Sequence, residues 1–146
     1  MEENMETNEI EVYVRFSETD AAGHVNNTSY FLYLEEARTR FFNHNLRQDF
    51  NGREGLSLNN FILASTKCDY ISQAYAGDIL KVNTTVSHIG NKSFTFNHVI
   101  THADTKEEVV RATATMVSFN YSEQLSQPIP EEIRTHLQRN LVKEGV

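Results

Sequence analysis

The sequence is poor in cysteine, tryptophan and proline, with one, none and two of them among 146 residues. The single cysteine, Cys68, excludes an internal disulfide and fits a reducing compartment. No apolar run approaches the ~18 residues that a membrane-spanning helix needs. The first residues are acidic and polar, without the basic and apolar regions of a secretion signal. We therefore expect a cytoplasmic protein with no membrane span.

Basic side chains are also scarce, with 13 Lys and Arg against 20 Asp and Glu and a net charge of −7. This balance argues against a nucleic-acid binder, which normally carries a basic face. It leaves room for a small phosphorylated ligand, since a few local cations suffice for that. The length fits one domain. We expect residues 1–8 to be a flexible tail and residues 9–146 to form a single domain.

An alternating segment and a helical segment open the domain. Ile10, Val12, Val14 and Phe16 fall on one face at a period of two, which predicts a half-buried strand. From residue 30 to residue 42 the apolar positions recur at helical spacing around most of the circumference. Such a pattern predicts a buried helix.

The polar residues of this helix suggest how it begins and which charges pair. Asn27 or Thr28 is the predicted N-cap, since both side chains can accept a bond from a free N–H of the first turn. Glu36 and Arg40, four residues apart, are positioned to form an ion pair. Local pairing of the same kind is expected for Glu35 with Arg38.

Strands dominate the rest of the chain after a polar connection at residues 43–57. Short turns at residues 77–78, 90–91 and 104–106 predict that the last three strands form an antiparallel meander. A terminal helix follows, with Ile133, Leu137 and Leu141 facing inward. The fold class is α+β, a long buried helix wrapped by a curved antiparallel sheet of about five strands. The later strands are predicted at residues 61–71, 79–89, 94–101 and 109–121.

A loop just before the first helix carries the strongest chemical signal. It reads DAAGHVNNTSY over residues 20–30 and places the Asp20 carboxylate beside a helix N-terminus. The first N–H groups of a helix lack internal partners and attract negative charge. A carboxylate beside such donors suits acyl transfer, with Asp20 as base or nucleophile and the backbone N–H groups of Asn27 and Thr28 as oxyanion donors.

The order of elements and this loop resemble the hotdog-fold acyl-CoA thioesterases of the 4-hydroxybenzoyl-CoA thioesterase type. The resemblance runs over residues 12–122 and is strongest in RFSETDAAGHVNNTSY, residues 15–30. A second match is DYISQAYAGD, residues 69–78, which is similar to the family's strand end and Gly-Asp turn. The family usually has proline where this chain has Gln73.

The resemblance implies hydrolysis of an acyl-CoA, with coenzyme A as part of the substrate and neither metal nor organic cofactor. It implies a homodimer or homotetramer with active sites at a subunit interface. Asp20 either attacks the thioester or activates water. His24 and Asn27 are catalytic candidates, and Tyr30 helps to shape the acyl pocket. Lys92 is the first candidate for a coenzyme A phosphate contact, with Lys67 and Arg111 as alternatives.

Three other hypotheses fit parts of the pattern. Some hotdog thioesterases carry their carboxylate on the helix, yet local ion pairs explain Glu35 and Glu36 here. An acyl-carrier-protein thioesterase uses a similar loop but is usually two fused units, and this chain has room for one. A non-catalytic acyl-CoA binding module would bind without turnover. The sequence does not indicate which acyl group is used.

Overall fold

The computed structural model describes residues 8–45 and 60–142. None of the α-helices in these two segments is both long and apolar enough to cross a bilayer. The strands are β1 (Glu9–Tyr13), β2 (Phe61–Tyr70), β3 (Ile79–Ile89), β4 (Ser93–His102), β5 (Glu108–Asn120) and β6 (Leu125–Ser126), and the helices are a 3-10 helix (Phe16–Glu18), α1 (Asn27–Asn45) and α2 (Glu131–Arg139).

The strands form one antiparallel sheet in the order β1-β3-β4-β5-β2, with β6 paired to β5. The predicted meander is confirmed, since β3, β4 and β5 are consecutive neighbours. Register shifts interrupt three of the ladders, as between Val86 and His88. Such bulges increase local twist and bend the strand. The predicted α+β class is confirmed.

The core lies between one face of the sheet and the two helices. Alternate residues of β3, β4 and β5 point into it and are buried. Two apolar clusters result, and α1 contributes to both. The first includes Val14, Leu34, Leu80, Ile100 and Val110, and the second includes Phe41, Phe94, Phe96, Ile133 and Leu137.

Helix α1 is buried on one face only, which corrects the prediction of burial around most of its circumference. Tyr30, Leu34 and Phe41 are buried, whereas Phe31 and Leu32 are 39% and 59% exposed. The sheet covers one side of a helix, and in a single described chain nothing covers the other. The apolar residues on that outer side are therefore exposed.

Two other predicted core residues lie at the surface. Phe16 is 83% exposed because β1 ends at Tyr13 and the chain turns into the 3-10 helix, so the alternation does not continue. Leu141 is 39% exposed because α2 ends at Arg139. Of the predicted flexible tail, residues 1–7 lie outside the described residues, as does most of the predicted connection at 43–57. Asn8 already accepts a hydrogen bond from the Thr84 N–H.

A polar pair sits inside this core on the central strands. Thr84 and His98 are 1% and 0% exposed, and the Thr84 hydroxyl lies 3.0 Å from Nδ1 of His98. Burial, and then the positive charge of Arg38, lowers the pKa of His98 to about 3. The imidazole is therefore neutral in the folded protein at ordinary pH.

Protonation of His98 predicts a loss of stability in acid. Below pH 6.5, its ordinary pKa, His98 is protonated in the unfolded chain, whereas in the folded chain it stays neutral down to about pH 3. The free energy of unfolding should thus fall as pH falls, by about 2 kcal/mol from pH 6.5 to pH 5. Urea unfolding of wild type and His98→Gln measures this contribution. The exposed His88→Gln variant is the control, and equal pH slopes for wild type and His98→Gln would contradict the prediction.

The turn before β3 depends on a glycine. Gly77 has φ of +92°, and its N–H donates to the Val14 carbonyl at 2.8 Å. A Cβ there meets no atom within 4 Å, so Gly77→Ala adds only backbone strain. We expect a loss of about 1–2 kcal/mol in the free energy of unfolding. Gly90→Ala, at a position without positive φ, is the control, and equal losses in the two variants would refute the strain argument.

Candidate active site

The loop between the 3-10 helix and α1 is closed by its own backbone. Thr19 and Val25 form an antiparallel bridge, and the Asp20 N–H donates to the His24 carbonyl at 2.8 Å. Inside the loop the Gly23 N–H donates to the Asp20 carbonyl at 2.9 Å. Gly23 has φ of +86°, a conformation that glycine adopts without strain. The loop is therefore a turn with a defined conformation, which its own main-chain hydrogen bonds maintain.

The two carboxylate oxygens of Asp20 have different surroundings. Oδ1 accepts the N–H groups of Ala22 at 2.9 Å and His24 at 3.2 Å, as in an Asx turn. Oδ2 accepts no hydrogen bond from any described residue, and the side chain is exposed. One oxygen therefore holds the turn while the other remains free to accept a proton or attack a carbonyl.

His24 lies beside the second sequence match rather than against the Asp20 carboxylate. Its ring meets the Tyr75 ring edge to face, with centroids 5.0 Å apart. A main-chain hydrogen bond also joins the loop to the second matched segment, since the Val25 N–H donates to the Ala74 carbonyl at 2.9 Å. The structure thus brings the two matched segments together. Within the described residues, no hydrogen bond joins the His24 imidazole to Asp20.

The start of α1 differs from the prediction in its cap. Oδ1 of Asn26 accepts the Thr28 N–H at 3.0 Å and the Thr28 hydroxyl at 2.9 Å. Asn26 is therefore the N-cap, one residue before the predicted Asn27 or Thr28. Of the two predicted oxyanion donors, the Thr28 N–H is already bonded, whereas the Asn27 N–H donates to no described residue.

Glu18, which sequence reasoning missed, holds the loop to the helix. Its carbonyl accepts the Asn26 N–H at 2.9 Å and the Ser29 hydroxyl at 3.0 Å. Its carboxylate Oε1 accepts the Tyr33 hydroxyl at 2.8 Å and the Arg15 N–H at 2.9 Å. The sequence offered no signal for these contacts, since residue 15 is an arginine and not the Ser or Thr with which a capping box begins.

Tyr30 forms part of an aromatic wall below the loop. It is 3% exposed, and its ring centroid lies 5.7 Å from that of Tyr70 and 5.9 Å from that of Tyr33. Burial, followed by Tyr70 and Asp78, raises the pKa of Tyr30 to about 12. The phenol is therefore uncharged and offers an apolar face with one hydroxyl.

The cations predicted for coenzyme A are not gathered at the loop. Lys92 is exposed and lies beyond the far end of the eleven-residue strand β3, whose near end follows Tyr75, the residue that forms a bridge with His24 of the loop. At about 3.3 Å per residue the two ends are about 30 Å apart. Lys67 lies 3.8 Å from Asp69, and Arg111 is paired with a glutamate at 2.8 Å.

Of the two ion pairs expected on α1, the described residues show one. Glu36 pairs with Arg40 at 3.1 Å, as predicted. Arg38 differs, because no carboxylate in the described segments lies within 4 Å of its guanidinium. Across residues 8–45 and 60–142, no group of three or more His, Cys, Asp or Glu side chains is arranged to hold a metal ion.

Known proteins similar to this chain include thioesterases, a putative esterase from Aquifex aeolicus and proteins described as uncharacterised. The chain is 34% identical over 88 residues to the uncharacterised protein YsmA of Bacillus subtilis, an alignment that covers 60% of this chain and only 56% of YsmA. A predicted thioesterase from Bacillus stearothermophilus superposes with a TM-score of 0.80 at 27% identity, over 94% of this chain and 98% of that one.

A thioesterase from Thermus thermophilus, solved in complex with coenzyme A and Zn, has a TM-score of 0.75 and 25% identity. The superposition covers 91% of this chain and 94% of that one. These neighbours share the hotdog fold, which the sheet order and helices reported above reproduce. The model of the thioesterase-like superfamily matches residues 14–137, which include the Asp20 loop, α1, strands β2 to β6 and most of α2. The chain therefore belongs to the thioesterase-like superfamily.

Proposed function

We propose that this protein is an acyl-CoA thioesterase in which Asp20 acts on the thioester carbonyl. The proposal is supported by the different hydrogen bonding of the two Asp20 carboxylate oxygens and by a free N–H of the same loop. Oδ1 of Asp20 maintains the turn and Oδ2 is free, while the Asn27 N–H is a free donor at the start of α1. A basic oxygen and an oxyanion donor on one rigid loop are what thioester hydrolysis needs.

Hydrolysis proceeds by one of two balanced routes. As general base, Asp20 takes a proton from water while the water oxygen bonds to the carbonyl carbon. As nucleophile, its carboxylate bonds to that carbon and forms an anhydride, which water then cleaves. In both routes the C–S bond breaks and the coenzyme A thiolate leaves. A thiol of pKa about 8.5 is a good leaving group, so the site needs no strong acid for it.

The neighbouring residues take supporting roles in this proposal. The Asn27 N–H stabilises the negative oxygen that develops on the carbonyl, aided by the helix N-terminus. His24, half-buried at the same loop, orients the carbonyl or the attacking water. Tyr30 forms a wall of the acyl pocket. The coenzyme A bound by the Thermus thermophilus neighbour supports coenzyme A as the carrier.

We further propose that the active form is a homodimer or a homotetramer. Strand β2 is an edge of the sheet, and Ile62 and Leu63 on it are 38% and 44% exposed. An unpaired edge with exposed apolar residues favours pairing with another chain. A second copy adding its own β2 would extend the sheet and cover these residues. The active site would then lie close to the partner subunit.

Replacing Asp20 by Asn separates its two roles. The amide oxygen can still accept the N–H groups that Oδ1 holds, but it is neither a base nor a nucleophile. We expect thiol release from an acyl-CoA panel to fall by about 10²–10⁴-fold in Asp20→Asn, with the free energy of unfolding nearly unchanged. Release of coenzyme A is followed with a thiol reagent.

Asp104→Asn is the matched control, because Asp104 is also a turn former whose Oδ1 accepts a main-chain N–H, at 2.7 Å. It should keep wild-type turnover. Wild-type turnover in Asp20→Asn would refute the proposed mechanism. Tight binding of acyl-CoA by the wild type without any thiol release would favour a binding module, and release from acyl-carrier protein alone would identify the other carrier.

A charge placed at the cap tests the oxyanion donor. Asn26→Asp keeps an oxygen that accepts the Thr28 N–H, and aspartate is as good an N-cap as asparagine, so stability should hold. The added negative charge sits beside the developing oxyanion. We expect turnover to fall by about ten- to a hundredfold.

The companion variant Asn26→Ala removes the cap and should cost about 1 kcal/mol of stability. Urea unfolding and steady-state kinetics are measured on both variants. Unchanged turnover in a stable Asn26→Asp protein would show that no oxyanion develops next to this helix start.

A further inference from the structure

Helix α1 forms a corner with the largely exposed strand β2. The helix packs on β1 and β3, so the inner face of β2 remains open beside it, with Tyr70 43% exposed. We name this the α1–β2 corner and define it by Tyr30, Leu34 and Arg38 of the helix and by Cys68 and Tyr70 of the strand. The three helix residues share a face at spacings of four, and the two strand residues share a face at a spacing of two.

The α1–β2 corner begins at the proposed active site and runs away from it. Tyr30 lies in the first turn of α1, and its ring contacts Tyr70. Leu34 packs in the same apolar cluster, with Cys68 against it. Arg38 follows, ten residues beyond the Thr28 at the helix start, which corresponds to about 15 Å along the axis. Its side chain leans back toward the helix N-terminus, which shortens that distance.

Arg38 is a buried charge without a counter-ion. It is 7% exposed, and within the described residues no carboxylate lies within 4 Å of its guanidinium. Burial lowers its pKa, while the more distant Glu35 and the Cys68 thiol act in the opposite direction. Buried charges in proteins are nearly always paired, since an isolated one costs several kcal/mol.

The polar group beneath Arg38 does not neutralise it. His98 is completely buried, and its Nε2 has no hydrogen-bond partner in the described part of the chain. The Arg38 charge reaches this ring, because it helps to depress the pKa of His98. A neutral imidazole leaves the guanidinium uncompensated. Among the described residues, a buried cation of α1 without a carboxylate partner therefore lies close to a buried imidazole of β4 whose Nε2 is unbonded.

We propose that Arg38 binds a carboxylate at the end of the acyl chain remote from the thioester. The substrate class is then an ω-carboxyacyl-CoA of medium length, with its apolar methylenes along the exposed ring of Tyr70 and its terminal carboxylate on the guanidinium. This proposal rests on the acyl-CoA thioesterase function proposed above. It explains why the apolar face of α1 carries an arginine two turns after Tyr30.

Paired ligands with and without the second carboxylate test the proposal. Suberoyl-CoA and octanoyl-CoA have the same carbon chain length, and only the first carries a terminal carboxylate. Calorimetry on their non-hydrolysable thioether analogues measures affinity, and thiol release from the two thioesters measures kcat/KM. We expect the wild type to favour the suberoyl compound by at least tenfold in both measurements.

Arg38→Gln should abolish this preference, by lowering affinity and turnover for the suberoyl compound at least tenfold more than for the octanoyl compound. Arg38→Lys should restore part of it, because the charge remains. Arg40→Gln is the matched control, since Arg40 is an exposed arginine of the same helix that already pairs with Glu36. It should keep the full preference.

Equal affinity of the wild type for the two analogues would overturn the proposal, even if both thioesters are hydrolysed. An equal loss for both compounds in Arg38→Gln would also overturn it, since that is the mark of a structural role. If the protein is not a thioesterase, the result is different, because neither ester then releases a thiol. Selective, Arg38-dependent binding would in that case still support the carboxylate site.

Discussion

The loop before α1 depends on one main-chain carbonyl, that of Glu18. It accepts the Asn26 N–H at 2.9 Å and the Ser29 hydroxyl at 3.0 Å, so it fixes the last residue before α1 and the first turn of that helix together. The Glu18 carboxylate adds the bond from Tyr33. With this anchor in place, the Asn26 side chain can take the Thr28 N–H, and the Asn27 N–H remains free.

Most of the fold could be predicted from the sequence, because the apolar alternation and the short turns are local signals. The bounds of β3 were predicted to the residue, and β2, β4 and β5 to within two residues. The error at β1 arose because the apolar alternation continues by chance beyond the end of the strand. Phe16 fits the period of β1, yet the capping interaction of Arg15 with Glu18 turns the chain first. Periodicity carries no information about such a side-chain bond.

The candidate site was predictable in its residue types but less so in its hydrogen bonds. Asp20 and the helix start were found because a carboxylate before an apolar helix is a local pattern. The choice between Asn26 and Asn27 as cap depends on a single backbone step, which two adjacent asparagines do not reveal. Arg38 looked like an ordinary ion-pair partner of Glu35. Its lack of a carboxylate partner among the described residues depends on side-chain positions that the spacing of Glu35 and Arg38 does not determine.

The central claim is that the Asn27 N–H and the Asp20 carboxylate act on the same thioester carbonyl. It is tested most directly by NMR of the 15N-labelled protein titrated with an acyl-CoA analogue in which a ketone replaces the thioester. We expect the Asn27 amide proton to shift downfield by more than that of Thr28, whose N–H is already bonded to Asn26. A saturating analogue that leaves the Asn27 amide unmoved would contradict the central claim.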